Sequence, residues 1–200
     1  MPKEDELSKV RKAIDSIDDQ ILSLLNERAE LAISAGKTKT DSDIYKPARE
    51  SLIFNRLTDM NKGPLNRDQI INIFNEIISS CRSTESTFTV SFLGPAGTFS
   101  ESALEGQFGK SVTKLPQENI KNIFESVLSG SSDFGIVPIE NSTEGSVNLT
   151  LDCLAEFDLK ICGEIELQIH HNLLGHDRPL PKEGFEIHAH EQTLGQCRKW

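Results

Sequence analysis

The sequence predicts a helical region followed by an α/β region, which is an α + α/β fold class. Up to Cys81 the apolar residues recur with a helical period, and from Phe88 short β-rich runs alternate with helical stretches. The length of 200 residues suits two domains of modest size. We therefore expect a helical domain over residues 1–86 and an α/β domain over residues 88–200, joined by the polar segment 83–87.

Composition narrows the classes of partner. The net charge is −10, and this acidic surplus disfavours duplex nucleic acid, which is bound through Lys and Arg. No apolar run approaches the roughly 18 to 20 residues that a membrane span needs, and the N-terminus lacks the apolar core of a signal peptide. We expect a soluble, cytoplasmic protein that binds neither nucleic acid nor membrane.

Cysteine and histidine patterns predict no metal site. No C-x-x-C spacing occurs, and we expect reduced thiols at Cys81, Cys153, Cys162 and Cys197. Zinc-ligand spacing with cysteine partners is also absent from the late histidines His170, His171, His188 and His190.

Cations are concentrated in the helical region. Residues 1–85 hold 13 Lys and Arg against 15 Asp and Glu, whereas residues 86–200 hold 8 against 16. An anionic ligand therefore finds its cationic partners mainly in the first region.

A long first helix is predicted over about residues 5–39. Its apolar residues recur at steps of three and four, as Leu7, Val10, Ile14, Ile17, Ile21, Leu24, Leu31 and Ala35. Arg28 interrupts this apolar series. Since burying an unpaired charge costs several kcal/mol, we expect an anion beside Arg28, either a ligand or an acidic residue of another helix.

Two further helices follow. Pro47 marks the first turn of the second. Asn66 begins the third as its cap, and Gln69 completes a capping box. The apolar face of the third helix ends at Cys81, and its continuation by four residues reaches Glu85.

The first helix is too long for its own chain to cover. Thirty-five residues at about 1.5 Å each extend over roughly 50 Å, more than two short helices can bury. We expect its apolar face to pair with a second copy in a homodimer.

The helical region resembles the all-helical class of chorismate mutases. The resemblance rests on Arg11, Arg28 within N-E-R-A-E-L-A, Gly36-Lys37-x-Lys39 and Pro47-x-Arg49-Glu50. It implies three helices intertwined as a dimer, and a pericyclic rearrangement of chorismate to prephenate that uses no nucleophile and no cofactor.

The resemblance also implies residue roles. The substrate would be bound by Arg11, Arg28, Arg49, Glu50 and Cys81, and the catalytic residues would be Lys39 and Glu85. Guanidinium groups pair bidentately with carboxylates, while Lys39 would donate to the ether oxygen. Many relatives carry Asp where this sequence has Lys46, and Gln where it has Glu85. A protonated Glu85 would donate a hydrogen bond; the alternative is a solvated residue where the third helix frays.

The spacing of Arg11 and Arg28 adds a constraint. They are 17 residues apart on one helix, which is roughly 25 Å along its axis. One small ligand cannot meet both in a single chain. If both serve one site, Arg11 comes from the partner subunit.

The second region predicts a mostly parallel sheet with helices packed on it. Strands are expected at 90–93, 112–115 and 134–139, and helices after a cap at Ser100 and over 119–128 and 148–157. Ligands of such sheets bind at loops after the strand carboxyl ends, where G-P-A-G-T and E-N-S-T-E-G lie. The alternatives are a tight turn for the first loop and a capping cluster for the second.

These motifs, with I-H-H-N-L-L-G and H-x-Q-T-L-G-Q-C, resemble the prephenate dehydratase domain. The resemblance implies substrate binding by Thr98, Asn141, Ser142 and Thr143. Ala189 and Glu191 stand where Ser and Pro are usual, and the Thr-Arg motif of the family's second lobe is absent from the sequence. We therefore expect a chain truncated within the dehydratase domain.

Together the two regions resemble bifunctional chorismate mutase/prephenate dehydratases of phenylalanine biosynthesis. Two alternatives stay open. One is a mutase with an inactive second domain. The other is a second domain that senses an aromatic amino acid or prephenate.

Overall fold

The structure is a computed structural model that describes residues 2–38, 45–85, 87–142, 145–175, 184, 186–189 and 191–197. The helical unit comprises α1 (Pro2–Thr38), α2 (Pro47–Met60) and α3 (Arg67–Ser83). The α/β unit comprises β1 (Thr89–Leu93), α4 (Phe99–Phe108), β2 (Thr113–Gln117), α5 (Ile120–Leu128), β3 (Phe134–Ile136), β4 (Glu140–Asn141), β5 (Gly145–Ser146), α6 (Asn148–Glu156) and α7 (Glu191–Gln196). The predicted α + α/β class is confirmed.

Helix α3 organises the helical unit, because it packs against both α1 and α2. It begins with the predicted capping box: the Asn66 side chain accepts from Gln69 N at 2.9 Å, and the Gln69 side chain accepts from Asn66 N at 2.9 Å. Its buried residues include Ile70, Ile78 and Cys81. The core of this unit therefore lies along α3.

Helix α1 leaves its apolar face uncovered within the chain. At 37 residues it is about 55 Å long. Seven apolar residues along it are 48% to 64% exposed: Leu7, Val10, Ile14, Ile17, Ile21, Leu24 and Leu31.

The α/β unit is built on the predicted parallel sheet, with strand order β2-β1-β3. The central strand β1 is buried, and its Val90 and Phe92 pack with Phe88, Leu104 and Phe108. A second cluster joins α5 to α6 through Ile120, Phe124 and Cys153.

Two local predictions in this unit are wrong. Ser100 is not the cap of α4, because the helix begins at Phe99 after Thr98. The third strand ends at Ile136 and not at Ile139. Beyond it, Pro138 has no N–H to donate to a sheet, and its carbonyl instead accepts from the buried hydroxyl of Thr150 at 2.7 Å.

The two units pack directly on each other through α3 and α4. Asn75 donates from its side chain to the carbonyls of Glu105 and Gly106, at 3.3 and 3.0 Å. Gly109 has a φ of 72°, and a Cβ there would collide with Ser79. Glycine therefore permits both the end of α4 and its close approach to α3.

Among the described residues, none of the helices combines the length and the apolar character needed to cross a membrane.

Candidate active sites

A cavity of about 300 Å³ lies between α1 and α3. Its lining is mixed, with apolar and polar side chains from both helices: Leu25, Asn26, Ala29, Glu76, Ile77, Ser80, Cys81 and Thr84. This volume is at the lower end of the range found for small-molecule sites. Cys81, predicted to bind substrate, is buried in its wall.

Charged side chains from all three helices lie close enough to act on one another's charge. Glu50 of α2 is buried and accepts a hydrogen bond at 2.5 Å from the Arg82 guanidinium of α3. Burial raises the pKa of the Glu50 carboxyl, whereas the positive charges of Arg82 and Arg28 oppose that rise. Arg28 is partly buried on α1. An acidic residue of another helix therefore does lie within electrostatic reach of Arg28, as one of the two sequence interpretations expects.

Glu85 lies in the turn that follows α3, with its side chain against α1. The helix ends at Ser83, two residues earlier than an extended apolar face requires. The Glu85 side chain is partly buried and packs on Gly36, and the Glu85 carboxylate acts on the charge of Arg82. Glu85 thus belongs to the same charged group as Arg28, Glu50 and Arg82.

Two other predicted mutase residues, Arg11 and Arg49, are not seen in this group. Arg49 is exposed on α2, and Arg11 is exposed on α1 about 25 Å from Arg28 along the helix. Lys39 lies outside the described residues.

The first loop of the α/β unit, residues 94–98, is held by a charged side chain of α4. Glu101 accepts from Gly97 N at 2.6 Å and from Lys114 Nζ at 2.9 Å. The pKa of Glu101 is lowered, first by the Gly97 hydrogen bond and then by Lys114. Thr98, predicted to bind substrate, donates its hydroxyl to the carbonyl of Leu93 at 3.1 Å.

A chain of side-chain contacts connects this loop to the second one. Asn141 accepts from the Gln196 amide at 3.3 Å, and the Gln196 carbonyl oxygen is 2.5 Å from His171 Nε2. The His171 ring packs edge to face on Phe99, at 6.2 Å between centroids. Ser142 is exposed beside Asn141, and Thr143 lies outside the described residues.

Nothing in the residue pattern pairs His171 or Gln196 with Asn141. The three residues are far apart in sequence and share no helical or strand period. The motifs H-H-N and G-Q-C single out these residues in the sequence, but only the fold shows that their side chains are in contact.

Comparisons with known proteins match both units. The family model "Prephenate dehydratase" matches residues 90–200, and the model "Chorismate mutase type II" matches residues 10–86. Proteins described as bifunctional chorismate mutase/prephenate dehydratase are 42% identical in Stutzerimonas stutzeri and 41% identical in Pseudomonas aeruginosa, in each case over 100% of this chain. One from Aquifex aeolicus is 41% identical over 98% of the chain.

The chain spans 57% of the length of the first two relatives and 56% of the third. The dehydratase model covers more than half of the chain, and the mutase model covers most of what precedes it. The chain therefore belongs to the prephenate dehydratase family, with a type II chorismate mutase region ahead of its dehydratase region.

Proposed function

We propose that the helical unit converts chorismate to prephenate, and that the whole protein also converts prephenate to phenylpyruvate in phenylalanine biosynthesis. The observation that carries the mutase proposal is the charged group formed by Arg28, Glu50, Arg82 and Glu85, three of which directly adjoin in sequence residues that line the α1–α3 cavity. It lies within the region that matches the chorismate mutase model.

The rearrangement breaks one C–O bond and forms one C–C bond in a single concerted step, so no group on the protein has to form a bond. What the site supplies is a clamp that holds the dicarboxylate in its compact conformer, together with donors for the charge that develops on the ether oxygen. Arg28 and Arg49 would bind the carboxylates, Lys39 would donate to the ether oxygen, and Glu85 would be the second catalytic group. Glu50 and Cys81 would contact the rest of the substrate.

A homodimer is part of this proposal. The exposed apolar face of α1 supports it, because a second copy would remove that face from water. The roughly 25 Å between Arg11 and Arg28 supports a shared site, in which Arg11 of one chain completes the clamp around Arg28 of the other.

For the dehydratase region, the proposed substrate contacts are Thr98, Asn141, Ser142 and Thr143. The two loops that carry them follow neighbouring parallel strands, β1 and β3, so they lie at one edge of the sheet. The match of residues 90–200 to a dehydratase model favours an enzyme over a sensing lobe. We also propose a cytoplasmic location.

The mutase proposal is tested by the rate of chorismate consumption. Arg28→Ala should lower kcat/KM by about 100-fold, equivalent to about 2.7 kcal/mol of transition-state stabilisation, while helical circular dichroism is unchanged. Arg67→Ala, at the exposed start of α3, is the matched arginine control and should keep the wild-type rate. Arg28→Ala activity within twofold of wild type would reject Arg28 as the clamp, and an inactive wild-type chain would reject the mutase assignment.

A further inference from the structure

Arg82 is a buried cation at the point where α3 meets both α2 and the α/β unit. Its residue is 6% exposed. One guanidinium nitrogen donates to Glu50 Oε1 at 2.5 Å, and another donates to the carbonyl of Phe108, at the end of α4, at 2.7 Å. The guanidinium therefore joins the helical unit to the α/β unit.

Two aromatic rings fix the plane of the same guanidinium. The central carbon of Arg82 lies 4.9 Å from the ring centroid of Phe88 and 5.2 Å from that of Tyr45. Tyr45 in turn packs on Phe108, at 4.8 Å between centroids, and contacts Gln107 through its hydroxyl. With rings against it and two acceptors at its nitrogens, Arg82 is restricted to one orientation.

This restriction passes to Glu50. The Glu50 side chain is nearly as buried as that of Arg82, and a carboxylate in such surroundings keeps the partner that compensates its charge. Arg28 of α1 lies near enough for its own charge to act on Glu50. The geometric contact that fixes the Glu50 carboxylate is therefore the hydrogen bond from Arg82.

We propose that Arg82 is a positioning residue for the mutase reaction: through its hydrogen bond it fixes the carboxylate of Glu50, which is one of the proposed substrate contacts. The inference rests on the proposed function. Arg82 itself contacts the backbone of α4 and stays behind the site, whereas its neighbour Cys81 faces the cavity. The α/β unit thus contributes to the mutase site through the Phe108 carbonyl.

A matched residue separates positioning from simple packing. Asn75 is also buried on α3 and also donates to backbone carbonyls of α4, at 3.0 and 3.3 Å. Among the described residues, Asn75 makes no hydrogen bond to Glu50, and it lies two helical turns before Arg82. Loss of Asn75 should weaken the junction without moving Glu50.

The experiment compares steady-state mutase kinetics of Arg82→Met, Arg82→Lys and Asn75→Ala in the 200-residue chain, with folding checked by circular dichroism. Arg82→Met should lower kcat/KM by about tenfold or more, since contacting residues in one network are strongly coupled. The loss should appear mainly in KM, because Glu50 as a proposed substrate contact would bind the ground and transition states alike. Asn75→Ala should lower the melting temperature but keep both constants.

The double variant Glu50→Gln with Arg82→Met should be no slower than Glu50→Gln alone, because Arg82 acts through Glu50. Three results would each overturn the inference. They are a double variant whose loss in kcat/KM is the product of the two single losses, an Arg82→Met variant with the wild-type kcat/KM, and an Asn75→Ala variant that loses as much kcat/KM as Arg82→Met. If Arg82→Met does not fold, Arg82→Lys decides: it keeps the charge without the planar donors, and unchanged kinetics would overturn the inference. An inactive wild-type chain would instead overturn the proposed function itself.

Discussion

The Oε2 atom of Glu85 lies 2.8 Å from the point that a Cβ on Gly36 would occupy. Because Gly36 has no side chain, the Glu85 carboxyl can occupy the space beside α1 at this position. Helices α1 and α3 enclose the cavity, whose lining includes Cys81 and Ala29, the latter two turns before Gly36. Glycine at position 36 thus sets how Glu85 sits beside the proposed mutase site.

Gly36→Ala should separate stability from activity. Alanine favours a helix over glycine by up to about 1 kcal/mol, and the atom it displaces is the end of a flexible side chain. We expect an equal or higher melting temperature together with a lower mutase rate. Gly106→Ala on α4, where no atom lies within 4 Å, is the control and should gain stability with an unchanged rate. A Gly36→Ala enzyme of full activity would show that the placement of Glu85 does not matter.

Mixed dimers test the shared site. Arg11→Ala and Arg28→Ala chains should each lose nearly all of the mutase activity, but purified heterodimers should regain about half of the wild-type rate, because one of two symmetry-related sites then holds both arginines. The measurement is chorismate consumption by heterodimers isolated with two different affinity tags.

The control is a heterodimer of one Arg28→Ala chain and one Arg49→Ala chain. If Arg28 and Arg49 serve a site within one chain, neither site of that heterodimer is complete, and no activity returns. Two results would contradict the proposed division of the site between subunits. One is recovery of activity in this control heterodimer, and the other is no recovery in the heterodimer of Arg11→Ala and Arg28→Ala chains.

The local features of the fold were predictable because their causes are local. The capping box of Asn66 and Gln69 joins residues three apart, and the parallel sheet follows from β-rich runs separated by helices. The end of the third strand was predicted wrongly although Pro138 is a local signal against a strand; the hydrogen bond from Thr150 to the Pro138 carbonyl is long-range and is not visible in the sequence.

Of the two cations in the charged group, Arg28 could be singled out from the sequence and Arg82 could not. Arg28 is conspicuous because a charge interrupts an apolar series, and that signal is visible in sequence. The pairing of Arg82 with Glu50 joins residues 32 positions apart, and it depends on how α2 and α3 cross. The contacts of His171 and Gln196 depend in the same way on long-range packing.

Glu101 should make the α/β unit sensitive to acid. The pKa of Glu101 is lowered by the Gly97 N–H and by Lys114. The ionised carboxylate therefore stabilises the fold at pH values above its ordinary pKa of about 4.5, and this stabilisation is lost as the pH falls through the lowered pKa. Glu101→Gln keeps the shape without the charge. In urea unfolding, the free energy of unfolding of the variant should be lower than that of wild type near neutral pH, and this difference should shrink in acid.

The control for Glu101 is Glu118→Gln, which alters an exposed carboxyl just after β2. It should unfold like wild type at both pH values. A gap between Glu101→Gln and wild type that stays constant from neutral pH into acid would show that the ionised carboxylate is not what holds the 94–98 loop.

Tyr45 provides a built-in reporter of the junction between the two units. It is the single tyrosine of the chain, and its ring packs on Phe88, Phe108 and Phe134. Burial raises the pKa of Tyr45 from 10.0 to about 12. Since folding favours the neutral phenol, the associated stability is complete below pH 10.0 and is lost as pH rises through about 12.

The titration is followed by the ultraviolet absorbance of phenolate. In the folded chain the midpoint should lie near 12, and in urea it should return to about 10.0. Tyr45→Phe removes the signal and confirms the assignment. Arg82→Lys should lower the midpoint if loss of the guanidinium opens the aromatic cluster to water, because the desolvation that raises the pKa is then reduced. A wild-type midpoint near 10.0 with helical circular dichroism intact would show that Tyr45 is not enclosed between the two units.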